Sequence, residues 1–550
     1  MKCRTWMRTT AVSLFAALAI PVNIAAQDNE EQHHKPRHHT YRLIDLGTFG
    51  GPNSLLNTGD PPNFPNFTIL SRAGVIAAVA ETPNPDQFAP NFCFVDSNCN
   101  IGYVFRWRNG VASNLGALPE NPATGFQTAC LDCNWSSWAY SIADDGLVVG
   151  QSEDNGFDPL LGAPAYLAVL WKNGKIVNLG TLGGYESTAG GVNNRGDVVG
   201  AALNSITDPF PGRCPYCAYF IFGNATESHA FLWRDGKMRD LGTLGGPDSI
   251  AFFVNESGQI AGASDVDFES NPVTGGPTVH PFLWNHGQML DLTESRGAKF
   301  GGTYGTVSAM NNQGQVTGTM NLTGDLTWHS FLWSRGRMTD LGTLGGAVTS
   351  ALWMNEAGHI VGRSDVTQIC EACGPNNQKQ LPHPFLWKDG AMVDLGLLYA
   401  DTGGTAVSVN ARDQVVGHTA PCTHIAGDHS CDGVYHPFLW ENGTIVDLQT
   451  LVLPSSDITL IDARDINDRG EIAAFGVLPN GDQHAVLLVP DGDCDDDCNA
   501  GLAGHNNAVP AQQLEAAQQG GESPANKVDQ LHNRSTGRYH VPIRAVAPLN

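Results

Sequence analysis

Six histidines and eight acidic or amide residues recur at matching places along this chain. The histidines are His229, His280, His329, His383, His436 and His484; the others are Asp45, Asn114, Asn178, Asp240, Asp291, Asp340, Asp394 and Asp447. Gathered at one point, such groups would make a metal centre or an acid–base site. Recurring about once every fifty residues, they belong instead to separate copies of one structural unit and cannot converge. Each is expected to make a structural hydrogen bond. Asn stands in for Asp in two copies, so the requirement is hydrogen bonding at a turn rather than charge.

The cysteines read the same way. Besides Cys3 there are twelve, in six close pairs: Cys93/Cys99, Cys130/Cys133, Cys214/Cys217, Cys370/Cys373, Cys422/Cys431 and Cys494/Cys498. Zinc needs four ligands together, and these pairs lie in different repeats. A redox C-x-x-C needs a helix N-terminus in a βαβ setting, which nothing here resembles. Disulfides between near neighbours are the economical reading. Loops this short contribute only about 2–3 kcal/mol each, so they stiffen loops rather than hold the fold.

Three further groups have chemistry outside the repeat. Trp135, Trp138, Tyr185 and Trp328 stand off the repeat grammar, and on stapled loops would stack on sugars or anchor a protein partner. Asp491, Asp493, Asp495 and Asp497 around Cys494 and Cys498 have calcium-like chemistry, and calcium is the only cofactor the sequence suggests. They lack the twelve-residue EF-hand spacing, and a solvated, disulfide-pinched terminus is the plainer reading. His33, His34, His38 and His39 lie in a segment read as a linker. No nucleophile elbow, phosphate loop or metalloprotease helix motif occurs, so no catalytic residue is assigned.

The elements that position these residues are strands. In the unit ending at Trp233, Ser187 to Asn193 leads into the turn Asn193-Asn194-Arg195-Gly196, then Asp197–Gly200, a long variable loop, His229–Trp233, an Asp-Gly hairpin turn and Met238–Gly242. Apolar runs this short, bounded by Gly, Asn and Asp, are strands. The Asn recurs as Asn193, Asn255, Asn311, Asn355, Asn410 and Asn467, with Ser71 and Ala143 in the first two copies. Trp ends the third strand as Trp107, Trp171, Trp233, Trp284, Trp333, Trp387 and Trp440, with Leu488 last, and is read as core. The predicted fold is all-β: a β-propeller of about eight four-stranded blades, seven being the alternative count. Tyr41 to Gly47 is an unpaired fourth strand and the last unit lacks one, so the N-terminal strand is expected to close the ring and leave no open edge. The Asn-x-x-Gly and Asp-Gly turns then share one face. The long loops, with most of the cysteines, share the other, where binding loops belong.

Residues 1–26 carry Lys2, Arg4 and Arg8, an apolar stretch from Ala11 to Val22, and Ala25-Ala26: the pattern of a secretory signal peptide. Residues 27–40 are a His-rich linker, 41–490 the propeller, and 491–550 the acidic segment and a poorly ordered tail. The expected location is extracellular, or periplasmic. The net charge of −25 disfavours nucleic acid and anionic lipid as partners, and no later stretch is apolar enough to insert in a membrane.

His229-Ala230-Phe231, with its kin and the Asp-Leu-Gly-Thr-Leu-Gly-Gly stretches, resembles the HAF-type repeat family of bacterial extracellular proteins. The match covers roughly Tyr41 to Val489. It implies an exported bacterial repeat protein and supplies no catalytic residues. The leading expectation is a secreted, non-enzymatic propeller whose loop-rich face binds an extracellular protein or polysaccharide. The alternatives are a carbohydrate-active or other hydrolytic propeller, and a self-assembling surface or matrix component. Convergent carboxylates or histidines would favour the enzyme.

Overall fold

The computed structural model describes residues 38–491, apart from 58–66, 88, 90–92, 94, 96–97, 161–162, 212–224, 272–274, 298, 376, 428 and 454–455. All the strands lie in the second of two units, His39–Asn550; the first, Met1–His38, falls outside the described residues but for His38. Cys214, Cys217, Asp493, Cys494, Asp495, Asp497 and Cys498 also fall outside them.

The chain is all-β, built mostly from four-stranded antiparallel sheets; the fourth and fifth repeats are joined into one eight-stranded sheet by a parallel pair, Val279 with Tyr304. Among the described residues the only helical turns are Leu292–Glu294 and Leu448–Leu451. No helix is long and apolar enough to cross a membrane. In the third repeat Ser187–Val192, Val198–Thr207, Thr226–Arg234 and Lys237–Asp240 pair in chain order. The hairpin turn between the last two takes positive φ at Asp235 (53°) and Gly236 (79°), the geometry that Asp-Gly supplies. The first strand bulges between Ala189 and Gly191, and Gly200 sits opposite. A Cβ at Gly200 would run into the Thr188 carbonyl oxygen, which is why the second strand begins Val-Val-Gly.

Several repeats depart from this plan. In the first, the innermost strand is interrupted: Ser54–Leu55 pairs with Val79 and Ala80, and Leu70 resumes beside Ile76. The second gains an outer strand, Gly125–Gln127. The seventh carries a small side hairpin, His424–Ile425 with Cys431–Asp432.

The two ends of the chain meet in one sheet. Thr40–Asp45 pairs antiparallel with Gln483–Asp491, placing Leu43 opposite Leu488 and Asp45 opposite Val486. Ile472–Val477 and Thr459–Ile466 complete that sheet. The expected latch between N-terminal strand and last repeat is therefore observed.

Packing between sheets is the core. Phe231, Phe282, Phe331, Phe385 and Phe438 are all 0% exposed. Phe282 and Trp284 of the fourth repeat pack on Val199 and Leu232 of the third. Burying one aromatic of this size contributes up to about 4–6 kcal/mol, so the repeating tryptophans are accounted for as core.

Candidate functional site

The recurring histidines are clasps. His229, His280, His329 and His383 place Nδ1 within 2.7–3.1 Å of Asp240, Asp291, Asp340 and Asp394, tying the start of the third strand to the end of the fourth. His484 does the same with Asp45 at 2.8 Å, across the joint between the chain ends. In the seventh repeat Tyr399 takes Asp447, and His436 turns to Asp401 at 2.8 Å. All eight Asp or Asn side chains also accept the backbone N–H two residues on, as Asp240 does from Gly242 at 2.7 Å. Burial alone would raise the Asp45, Asp240, Asp340 and Asp394 carboxyls; the histidine bond and the turn N–H outweigh it and hold them low. These groups are spent on structure.

The Asn-x-x-Gly turns are linked repeat to repeat. Asn193 Nδ2 donates to the Asn255 carbonyl at 3.0 Å. The same bond runs from Asn255 to Asn311, then to Asn355, Asn410 and Asn467, and finally from Asn467 to Ser71 at 3.1 Å. Arg72 N to Asp144 Oδ1 (2.9 Å) and Asp145 N to Asn194 Oδ1 (3.3 Å) carry it through the second repeat back to the third. Inside this circuit lies a cavity of about 300 Å³ lined by residues of all eight repeats.

That cavity is poorly suited to catalysis. Phe67, 6% exposed, lines it, with ring centroids 5.8 Å from Tyr140 and 6.0 Å from Phe253. Arg72 crosses its mouth, pairing with Glu356 at 3.0 Å and lying 3.8 Å from Asp468. Asp465 beside it is pushed up to about 6 by burial, against hydrogen bonds from Leu70 N and Ser408. Its two oxygens are taken up by these bonds, Oδ2 from Leu70 N at 3.1 Å and Oδ1 from the Ser408 hydroxyl at 3.0 Å.

The long-loop end differs. The disulfide Cys422–Cys431 holds the side hairpin of the seventh repeat. His429 from that hairpin stands edge-on to Trp328 of the fifth repeat, centroids 5.3 Å apart. Its Nδ1 is 2.9 Å from Asp365 of the sixth, an ion-pair distance without hydrogen-bond alignment. Trp328 Nε1 donates to Ser350 at 2.9 Å. Nearby in the sequence, His418 is sandwiched between repeats. Its Nδ1 meets Asp462 at 2.9 Å, its ring stacks on Tyr435 at 3.8 Å, and Arg464 holds the other Asp462 oxygen at 2.6 Å.

The structure separates the four aromatics expected on loops. Trp328 is half-buried in the cluster just described. Tyr185 is 46% exposed at a repeat entrance. Trp135 is half-buried and donates to the Leu118 carbonyl at 2.9 Å. Trp138 is a correction: it lies in the innermost strand Ser137–Ile142 and is 3% exposed, so it has no face to offer a ligand. Of the twelve cysteines, Cys93–Cys99, Cys130–Cys133, Cys370–Cys373 and Cys422–Cys431 are bonded as expected. Asp491 ends the last strand. Sequence reasoning missed His418, Asp462 and His429, which occupy variable positions of the repeat.

No family model matches the chain, and no curated protein does. Among solved structures it is similar to the β-propeller domain of the trilobed protease from Pyrococcus furiosus, with a TM-score of 0.37 and 8% identity over 65% of this chain and 94% of that one. A polysaccharide lyase, an ulvan lyase, has a TM-score of 0.32 and 11% identity over 82% and 94%. A levansucrase variant from B. megaterium has a TM-score of 0.24 and 10% identity over 56% and 87%.

Proposed function

We propose that the chain is an exported β-propeller of eight HAF-like blades, closed by its N-terminal strand, that binds an extracellular protein or polysaccharide on its long-loop face. The observation that carries the binding reading is the cluster of Trp328, His429 and Asp365. Three blades contribute to it, and a disulfide-held hairpin sets its geometry before any partner arrives. An aromatic anchor held this way is the usual centre of a binding surface. A glycan array, with a pull-down from culture medium, tests it. Trp328→Ala should weaken the interaction at least about tenfold and leave the melting temperature close to wild type. Equal binding by the variant, or no ligand in either assay, sinks the proposal.

One observation favours the hydrolytic alternative. Asp462 orients His418 through Nδ1, and among the described residues no hydrogen bond engages Nε2, as a general base requires. Incubation with a polysaccharide panel, reading new chain ends, decides between them. Turnover lost in His418→Ala would replace the binding reading with the enzymatic one.

A further inference from the structure

Where one repeat passes into the next through Leu-Gly-Gly or its near equivalent, the backbone calls for glycine. Gly50, Gly183, Gly245 and Gly345 hold the same place in four such passages, with φ between 95° and 133°. The passage into the seventh repeat has Tyr399 there instead, at φ 49°. A bulky aromatic is rare in that region of backbone, and holding one there costs stability. Burial does not offset the cost, since Tyr399 is 69% exposed. The neighbouring clasp is rewired as well. The Tyr399 hydroxyl donates to Asp447, the carboxylate that His436 would hold in the manner of the other repeats. His436 turns to buried Asp401, 2.8 Å from Nδ1, and the Thr419 hydroxyl donates to the same Asp401 oxygen. The His436 side chain is 35% exposed, against 12–19% for the five clasped histidines. Among the described residues no hydrogen bond engages its Nε2. Tyr399 meets this imidazole edge-on, centroids 5.2 Å apart. Its ring is thus pinned at the hydroxyl and along one edge, with the rest open to solvent.

We propose that this entrance is a subsite for an uncharged sugar unit of a polysaccharide, with Tyr399 as the stacking platform and His436 Nε2 as a hydrogen-bonding partner for a hydroxyl. A sugar ring has an apolar C–H face bordered by hydroxyls. Its complement is an aromatic face bordered by groups that donate and accept. A protein anchor wants close-packed neighbours that exclude water; the neighbours here are an imidazole and carboxylates. Those carboxylates disfavour an anionic sugar. Cys422 N donates to the Thr402 hydroxyl at 2.9 Å, which ties the passage to the disulfide-held hairpin carrying His429. The subsite presupposes the binding reading and narrows its partner to a polysaccharide.

Affinity electrophoresis of the full chain tests it, through gels holding dextran, galactomannan, xylan or soluble starch, with alginate as the anionic control. At least one neutral gel should retard wild type, and alginate should not. Tyr399→Gly supplies the residue the backbone favours, so it should melt no lower than wild type while its affinity falls at least about tenfold. Tyr399→Phe keeps the ring and should bind within about threefold of wild type. The proposal is overturned by retardation in no neutral gel, by equal retardation in alginate, or by unchanged affinity in Tyr399→Gly. A lower melting temperature for Tyr399→Gly also overturns it, since the side chain would then be serving the fold, as does a Tyr399→Phe variant that binds as poorly as Tyr399→Gly. Trp328→Ala in the same gels separates this subsite from the broader reading. Affinity lost there but kept in Tyr399→Gly, or a protein captured from culture medium with no gel retarding wild type, leaves binding standing and removes the sugar subsite.

Discussion

The joint between the chain ends can be tested at one side chain. Tyr41 lies in the first strand, 0% exposed, and packs on Val416, Leu439 and Leu448 of the seventh repeat as well as Leu460 and Leu488 of the eighth. Its backbone carbonyl accepts from Leu453 N at 2.9 Å. Truncating a fully buried aromatic costs about 3–5 kcal/mol, of which the cavity left behind is a large part. Tyr41→Ala is therefore expected to destabilise by that amount in urea unfolding. It should also free a strand edge, visible as oligomers by size-exclusion chromatography. The hydroxyl behaves oppositely. It is buried without a hydrogen-bond partner, and burial first, then Glu441, raises its pKa far above the tyrosine norm. Tyr41→Phe removes that unsatisfied group while keeping the ring, so it should match wild type or gain about 1 kcal/mol. If Tyr41→Ala unfolds within about 1 kcal/mol of wild type, the strand is not holding the molecule closed. If Tyr41→Phe is as damaging as Tyr41→Ala, the packing argument is wrong.

Three other outcomes are expected. Burial and then neighbouring acids push Asp265 up to about 9 and Glu153 up to about 8. The folded state thus holds protons the unfolded chain has released, and stability should fall as pH rises from about 4 to about 9. The clasped aspartates, held low, lose their contribution as pH falls through their folded pKa, so thermal melts from acid to alkaline pH should peak between, with Asp265→Asn flattening the alkaline limb. Asn410→Ala removes the donor to the Asn467 carbonyl (3.0 Å) and the acceptor for Arg412 N and Gln414 N. With buried groups left unpaired it should cost about 2–4 kcal/mol in chemical unfolding. Replacing Cys422 and Cys431 by Ser should cost about 2–3 kcal/mol by the same measurement and raise hydrogen exchange in the hairpin around His429.

The architecture was legible because it is repeated. Eight Asp or Asn positions read as turn hydrogen bonders all proved to be so, and the histidines read as structural found aspartates. The pairing itself was within reach, since His229, His280, His329 and His383 each stand eleven residues before their aspartate. Trp138 was misplaced because Cys133 nearby suggested a loop. Aligning Ser137-Trp138-Ala139 with Ser187-Thr188-Ala189 would have put it in the innermost strand. The cluster at His418 had no such signal: His418 and Asp462 come from different repeats, at positions where the repeats disagree with one another, so only the packing of one sheet on the next brings them together.

The pairing of Thr40–Asp45 with Gln483–Asp491 imposes an order on synthesis. The first of the strands docks last, because the strand it pairs with follows some 440 residues later in the chain. Until then the final sheet lacks an edge and the opening strand lacks a home, the circumstance in which a slow, long-range step governs folding and strand edges are open to other chains. The opening strand therefore spends most of synthesis as an unpaired β-segment, and the last repeat completes its sheet only by capturing it.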